Sequence, residues 1–288
     1  MPKIEDYKPE DKIVALHISR SGHGKSAAAA SYPKPFHEYD FDGRFDGIAG
    51  ACKSPIGTGF LDPEGISFDR FYTKPGFEPF DQELEQLQML HVQNGRFKYK
   101  TIELASITSF VQALINSSHK LQTGKMIGRL RMSGPGDFNF EITGIKQLMD
   151  YFYGFPCHII VSAHIIDKYG KGTIIDPKTG VSEKDTYGSN VIVGEKLNLR
   201  DNVGETLLSC FSNVFRFEKE IDRDNNVQFY VEFNTDIAKN AFGIPPGRFN
   251  ITGKQFYPFL QDLIQKIRKG EDVRPKTKTM NFFKKEEE

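Results

Sequence analysis

The stretch KIVALHISRSGHGKSAAAASY, residues 12–32, decides the fold class. Its first part, KIVALHI (12–18), is a short and nearly continuous apolar run with β-branched members, which is typical of a strand buried on both faces of a parallel sheet. A glycine-containing turn follows, and then the alanine-rich start of a helix. A phosphate-binding loop is built from these three parts in this order, because the turn and the helix start present backbone N–H groups to an anion.

The turn itself, SRSGHGKS (19–26), ends like the motif G-x-x-x-x-G-K-[ST] but has Ser19 where the motif begins with glycine. Two glycines let the backbone wrap closely around phosphate, Lys25 can reach the β- and γ-phosphates, and Ser26 can ligate magnesium. The alternative is a chance G-K-S in a surface loop. The residues that we predict to bind nucleotide are Ser19, Arg20, Ser21, Gly22, His23, Gly24, Lys25, Ser26 and Ala27.

Composition limits the possible partners and compartments. The chain has 288 residues, with 38 Lys+Arg against 38 Asp+Glu, so a nucleic acid would have to be held by a local basic patch. Its 3 cysteines form neither a disulfide framework nor a zinc pattern, which indicates a reducing compartment. No apolar run has the length of a membrane span and the start lacks a signal-peptide pattern, so we expect a soluble, cytoplasmic protein.

Strand and helix patterns alternate along the chain and therefore predict a parallel α/β sheet. The predicted elements are a strand in 34–43, a strand and a helix in 99–120, a helix and a strand in 141–165, a hairpin over 213–234, and a helix over 254–270 interrupted by Pro258. Residues 44–98 read as an irregular insertion with one helical stretch at 81–93. From 271 onward the chain reads as a flexible charged tail.

This order of elements resembles the RecA-like ATPase core, and most closely the bacteriophage P-loop ATPases of recombination and single-strand annealing. The resemblance runs in patches from Lys12 to Gly247 and omits the insertion and the tail. It implies a single RecA-like domain over 1–270, with a mostly parallel central sheet flanked by helices and an added β-hairpin. It also implies ATP and Mg²⁺ as cofactors, single-stranded DNA as a partner, a homo-oligomeric ring or filament, and, for a phage protein, the host cytoplasm.

The resemblance assigns catalytic roles to residues beyond Lys25. In YDFDG (39–43), Asp42 matches the general base that orients water, with Asp40 supporting it, although Asp-Gly is also a common turn pair. HIIVSAHI (158–165) places His164 where the family senses the γ-phosphate, at the carboxyl end of a strand. DIAKNAFGIPPG (236–247) places Lys239 where a neighbouring subunit's nucleotide is contacted; the alternative is a solvated loop lysine.

The Walker B position departs from the family pattern. The matching stretch TIELASITSF (101–110) retains Ser106 but has Ala105 in place of the aspartate that organises magnesium. Glu103 points to the same face of the strand but lies deeper by about 7 Å, so it compensates only in part. Three alternatives stay open: ATP is hydrolysed poorly, the metal is held otherwise, or residue 105 carries an inactivating change from aspartate.

Two segments are candidates for DNA contact by the same resemblance. Segment 119–138 offers basic residues among glycines, and segment 167–190 mixes lysines with tyrosines that can stack on bases. The alternatives are a solvated lid for the first and a β-hairpin with a turn at DPKTG for the second. The predicted DNA-binding residues are Lys120, Lys125, Arg129, Arg131, Lys168, Tyr169 and Lys171.

The tail ends in KTKTMNFFKKEEE (276–288), whose paired aromatics suggest a peptide that docks on replication or recombination proteins. It resembles clamp-binding peptides but lacks their leading glutamine, and a simple charged tail is the alternative.

Two other functions compete with a DNA-binding ATPase. One is a nucleotide-binding switch or assembly protein with little hydrolysis, which Ala105 favours. The other is a small-molecule kinase, for which the sequence shows no separate acceptor pocket.

Overall fold

The structure is a computed structural model of the chain, and it describes residues 12–52, 59, 61–72, 77–121, 126–127, 130–131, 134–171, 173–175, 182–184, 190–234 and 237–275. Two of the predicted DNA-binding residues, Lys125 and Arg129, lie outside the described residues, as does the tail from 276. For Arg131 and Lys171 only the backbone is described. Predictions about these residues therefore stay predictions.

Strands and helices alternate as the sequence predicts. In chain order the elements are β1 (Val14–Ser19), α1 (Lys25–Ala29), β2 (Phe36–Asp40), α2 (Asp46–Ala51), β3 (Ile66–Arg70), α3 (Glu78–Asn94), β4 (Thr101–Ala105), α4 (Ile107–Leu121), β5 (Met126–Ile127), β6 (Leu130–Arg131), α5 (Pro135–Gly154), β7 (His158–Lys171), β8 (Thr173–Ile175), β9 (Ser182–Lys184), β10 (Asn190–Leu197), α6 (Asp201–Ser209), β11 (Asn213–Ile221), β12 (Val227–Phe233), β13 (Gly247–Asn250) and α7 (Phe256–Arg268). Within the described ranges, none of these helices has both the length and the apolar character needed to cross a membrane.

One large sheet organises these elements, in the order β13-β12-β11-β1-β7-β4-β2-β3. The strands from β11 to β3 run parallel, while β12 and β13 are added in antiparallel fashion at one edge. β10 pairs antiparallel with the far part of β7. The predicted fold class, a mostly parallel central sheet flanked by helices with an added β-hairpin, is confirmed. β1, which leads into the phosphate loop, lies between β7 and β11 near the middle of the sheet.

Each face of the sheet has its own core, because successive side chains of a strand point to opposite faces. On one face, Leu16 and Ile18 of β1 pack with apolar residues of α3, α4, α5 and α6. On the other, Ala15 of β1 packs with residues of α1, α2 and α7. The loop between β1 and α1 belongs to this second face, which we call the site face.

The structure corrects three details of the sequence interpretation. The segment 44–98 is more regular than predicted, since it contains α2 and a strand, β3, that extends the sheet beside β2. Pro258 does not interrupt α7, because it lies in the first turn, where a backbone N–H has no partner inside the helix. The described parts of segment 167–190 lie in strands (β7, β8, β9 and β10) and not in a loop, and β8 pairs with β9, which agrees with the hairpin alternative.

Candidate nucleotide-binding site

The loop between β1 and α1 has the tight backbone that a phosphate site needs. Gly22 has a φ of 77° and Gly24 a φ of 90°, values that glycine adopts readily and other residues rarely. Gly24 is also crowded, because an added Cβ atom would lie 3.3 Å from Cδ1 of Phe229. The loop therefore needs glycine at both positions, and at Gly24 for two reasons.

Lys25, the first residue of α1, is held above the end of β1. Its Nζ donates a hydrogen bond to Ser19 Oγ (2.9 Å) and lies 3.4 Å from the Ser19 carbonyl oxygen. The side chain is buried, and this burial lowers the pKa of Lys25 to about 8. Ser19, the departure from the motif, thus supplies a hydroxyl that glycine does not have, and this hydroxyl positions the lysine.

His164, in the middle of β7 and level with Ser19 at the end of β1, joins Lys25 to Asp42. Its Nδ1 lies 3.4 Å from Lys25 Nζ, and its Nε2 lies 3.2 Å from Asp42 Oδ2. A ring that accepts from the lysine at Nδ1 and donates to the carboxylate at Nε2 satisfies both contacts. Asp42 Oδ1 accepts further hydrogen bonds from Ser106 Oγ (2.9 Å) and from Ser109 Oγ. The structure thus brings three of the predicted catalytic residues together in one chain of contacts.

These contacts set the charge of Asp42. Burial alone would raise the pKa of Asp42, but the hydrogen bonds that it accepts, with that from His164 the strongest, lower its pKa to about 2. Asp42 is therefore a stable anion and a weak proton acceptor. Ser109, which sequence reasoning missed, lies one turn into α4 after Ser106, and this spacing is the signal that could have identified it.

Three buried carboxylic side chains, which we call the carboxylate row, lie on the site face beneath the loop: Glu38, Asp40 and Glu103. Glu38 and Glu103 are register partners on β2 and β4. Burial raises the pKa of Glu103 to about 8, against the opposing effects of Ser162 and Lys25, and burial together with the charge of Glu103 raises that of Glu38 to about 10. Within the described part of the chain, one oxygen of each of the three has no hydrogen-bond partner.

Asp40 supplies a carboxylate beside the position where the Walker B aspartate is missing. It is the register partner of Ala105 on the neighbouring strand, so the two residues lie at the same level of the sheet. Its Oδ1 accepts hydrogen bonds from the backbone N–H groups of Gly43 (2.7 Å) and Arg44 (3.2 Å), while Oδ2 is the oxygen left without a partner. The residue expected only to support Asp42 is therefore itself a candidate for organising a metal ion.

Most of these groups line one cavity of about 570 Å³, which is within the usual size range of ligand pockets, whereas Ser19, Ser109 and the predicted metal ligand Glu103 do not line it. The phosphate loop, Ser26 included, lies on one side of the cavity. The apolar part of the wall comes from Phe229, Ile251 and Phe256. Glu38 and Asp40, each with one unpartnered carboxyl oxygen, line the cavity together with Ser26. These oxygens are hard donors of the kind that Mg²⁺ prefers, so the residues present fit a magnesium ion.

The other predicted site residues lie outside this cavity. Lys239 pairs through its backbone with Val214, and its Nζ donates to the Leu208 carbonyl oxygen (2.9 Å) at the end of α6. Val214 is level with Leu16, three residues before the end of β1, so Lys239 lies toward the opposite edge of the sheet from the loop. A role of Lys239 at a neighbouring subunit's nucleotide stays a prediction.

Among the predicted DNA-binding residues, Lys168 and Tyr169 are exposed on β7, beyond the parallel sheet. Lys120 is at the end of α4, with its Nζ 3.8 Å from Glu78 Oε2. Arg20 of the phosphate loop forms an ion pair with Asp167 and lies 3.7 Å from Glu195 of β10. This contact links the phosphate loop to the antiparallel pair β7–β10, which we call the arm.

Comparison with known proteins adds a likeness of fold alone. No protein-family model matches the chain, and no curated protein matches it. Among solved structures, the chain is similar to a KaiC-like protein from the hyperthermophilic archaeon Pyrococcus horikoshii, with 12% identity and a TM-score of 0.42, over 83% of this chain and 84% of that one. A similarity at this level identifies neither a family nor an activity, so a function has to be supported by the cavity and the residues that line it.

Proposed function

We propose that this protein binds ATP with Mg²⁺ in the cavity at the end of β1, as a P-loop ATPase with a RecA-like core. The observation that supports this most strongly is the position of Lys25. A buried ammonium between Ser19 Oγ and His164 Nδ1 has a charge that burial disfavours, and a triphosphate would compensate that charge.

Different residues of the cavity bind different parts of the nucleotide and its metal ion. The backbone of the glycine turn and Lys25 hold the β- and γ-phosphates, and Ser26 with Asp40 fits the metal. Magnesium, when bound, neutralises negative charge on the β- and γ-phosphate oxygens. Phe229 and Ile251, in the apolar wall of the cavity, pack against the adenine base.

Hydrolysis depends on Asp42, whose carboxylate already accepts hydrogen bonds from neighbouring side chains. Asp42 holds His164 and, through it, Lys25, so Asp42 acts as a positioning residue and orients water less well than a free carboxylate does. With Ala105 at the Walker B position, the metal relies on Asp40 from the next strand. We therefore expect tight ATP binding and slow turnover.

The first test is the affinity for ATP of the Lys25→Ala variant, measured by calorimetric titration in the presence of Mg²⁺. Loss of a charge-assisted hydrogen bond worth about 1.5–3 kcal/mol weakens binding by about 10- to 100-fold. Lys266→Ala is the matched control, since Lys266 is an exposed residue of α7 paired with Asp262. Unchanged ATP affinity in Lys25→Ala would refute the site assignment.

We further propose that the arm binds single-stranded DNA and that the active form is a homo-oligomer acting in recombination, annealing or replication. Lys168 and Tyr169 offer a cation and an aromatic ring on the exposed arm, which begins just after His164. The Arg20–Asp167 ion pair gives nucleotide a route by which to affect this arm. A shift of a labelled oligonucleotide that weakens with salt, and weakens further in Lys168→Ala, supports DNA binding.

Ala105 favours a second candidate, a nucleotide-binding switch or assembly protein with little hydrolysis and a protein partner. Phosphate release with and without single-stranded DNA, for this chain and for Ala105→Asp, separates the two. DNA-stimulated turnover that appears in Ala105→Asp identifies residue 105 as the cause of slow hydrolysis. ATP binding without any turnover or oligonucleotide shift in either protein favours the switch.

A further inference from the structure

A second cluster of ligand-type side chains lies away from the nucleotide cavity, near the β3 edge of the sheet. His37 of β2, Asp69 of β3 and Glu83 of α3 each offer one nitrogen or oxygen atom, and these atoms all lie within 4.8 Å of one another. His37 alternates with Glu38 along β2, so it points to the opposite face of the sheet from the carboxylate row. Asp69 and Glu83 line a separate cavity of about 380 Å³.

The contacts around His37 are compatible with a ring nitrogen that binds a metal ion. Ser67 Oγ can donate its single proton to the Phe36 carbonyl oxygen (3.2 Å). The ring then donates its Nδ1–H to Ser67 Oγ over 2.9 Å. In this tautomer His37 Nε2 keeps its lone pair, as in metal-ligating histidines whose other nitrogen donates to a neighbouring group.

This lone pair faces a carboxylate. His37 Nε2 lies 3.4 Å from Asp69 Oδ2, and within the described residues it has no hydrogen-bond partner although the side chain is buried. Two electron-pair donors at this distance need either a proton or a metal ion between them, and the geometry of the pair accommodates a metal ion.

The spacing fits a particular kind of cation. In a tetrahedral zinc site with bonds of about 2.0–2.1 Å, neighbouring ligand atoms are about 3.3 Å apart, close to the 3.4 Å observed between His37 and Asp69. Mg²⁺ and Ca²⁺ prefer oxygen ligands alone, whereas an imidazole with two carboxylates suits zinc and similar transition metals. The adjoining cavity leaves room for a water molecule as a fourth ligand.

We propose that His37, Asp69 and Glu83 form a site for a divalent transition-metal ion, with Zn²⁺ the best fit. The ion joins the edge strand β3 and helix α3 to β2, and so stabilises the folded chain by binding to it and not to the unfolded chain. Lys98 is a cation near the cluster, with its Nζ 4.8 Å from the centre of the Tyr99 ring that stacks on His37. The two carboxylates of the cluster outnumber this one lysine.

Titration of the nucleotide-free full chain with Zn²⁺ by calorimetry, and with Co²⁺ by absorption spectroscopy, tests the site. One ion should bind per chain, and Asp69→Asn and Glu83→Gln should each weaken binding by about tenfold or more, the lower end of what altering metal-site groups costs. Glu85→Gln is the matched control, because Glu85 is an exposed glutamate two residues further along α3.

A thermal unfolding measurement gives an independent readout. Zn²⁺ should raise the melting temperature of the unaltered chain and of Glu85→Gln, and have little effect on Asp69→Asn, whose substitution at a half-exposed carboxylate leaves the fold intact. The proposal is overturned if the unaltered chain binds no Zn²⁺, if Asp69→Asn and Glu83→Gln bind it as tightly as Glu85→Gln does, or if the Co²⁺ spectrum shows the thiolate charge-transfer band of a cysteine site.

Discussion

The two faces of the central sheet are equally buried but differ in chemistry. On the face covered by α3, α4 and α5, β4 contributes Ile102 and Leu104 and β1 contributes Leu16 and Ile18, all of which pack in one apolar core. On the site face, the intervening position of β4 is Glu103, and that of β1 is His17, whose pKa burial lowers to about 3. Adjacent positions of the same strands thus carry apolar side chains on one face and titratable side chains on the other.

This difference teaches that the site face is stabilised less than its burial suggests. Apolar burial contributes about 25 cal/mol per Å², whereas a buried carboxyl oxygen without a partner costs free energy. Three such oxygens lie in the carboxylate row, within the part of the chain that the structure describes. A bound ligand that engages these oxygens would increase the stability of the folded chain.

The apolar face can be tested by removing one ring from it. Phe110 is fully buried, with its ring centroid 5.4 Å from that of Phe41 and 5.7 Å from that of Phe80. Phe110→Ala should lower the free energy of unfolding by about 3–5 kcal/mol through lost burial and a residual cavity, measured by urea denaturation. Met89→Ala, at a side chain 59% exposed on α3, is the control and should change it little. A loss below 1 kcal/mol in Phe110→Ala would contradict the assignment of stability to this face.

A substitution that removes a charge from the site face should instead raise the free energy of unfolding. The pKa of Glu103 is raised above its ordinary value of 4.5 to about 8, so folding favours the protonated side chain, and this contribution is lost as the pH rises from 4.5 through 8. Glutamine does not ionise. The free energy of unfolding of Glu103→Gln should therefore exceed that of the unaltered chain by about 1–3 kcal/mol at pH 9, which is the cost of an unsatisfied buried group. At pH 5 the two proteins should differ little.

Urea denaturation at both pH values measures this gain, with Glu205→Gln, at an exposed position of α6, as the control. A destabilised Glu103→Gln at pH 9 would show that the carboxylate row is compensated in the ligand-free protein. The inference that the site face is stabilised less than its burial suggests would then be wrong.

The sequence predicts well what depends on neighbouring residues along the chain. The apolar run before residue 19 and the glycine turn after it predict β1 and the phosphate loop, because both follow from local pattern. Asp42, Lys25 and His164 also lie together as expected, since parallel strands bring their carboxyl ends to one edge of the sheet. The roles assigned to these residues stay predictions.

The sequence predicts poorly what depends on which strands are neighbours. Asp40 lies level with Ala105 only because β2 pairs with β4 in that register, and no local pattern shows this pairing. The cluster of His37, Asp69 and Glu83 likewise needs β3 beside β2. β3 itself was missed because a short edge strand within a segment rich in Gly, Pro and Phe lacks a clear alternation of polar and apolar residues.

The smallest expected effect on stability comes from the link between the site and the arm. Arg20 is 48% exposed, and its ion pair with Asp167 is therefore worth at most about 1 kcal/mol. Arg20→Ala should leave the urea midpoint nearly unchanged, as should the control Arg274→Ala, which breaks an exposed pair with Asp272. If the arm binds DNA under the control of nucleotide, however, Arg20→Ala should reduce the effect of ATP on oligonucleotide affinity, and Arg274→Ala should not. Equal ATP dependence in both variants would show that the arm and the phosphate loop respond independently, because the coupling between two sites requires a contact that differs with ligand.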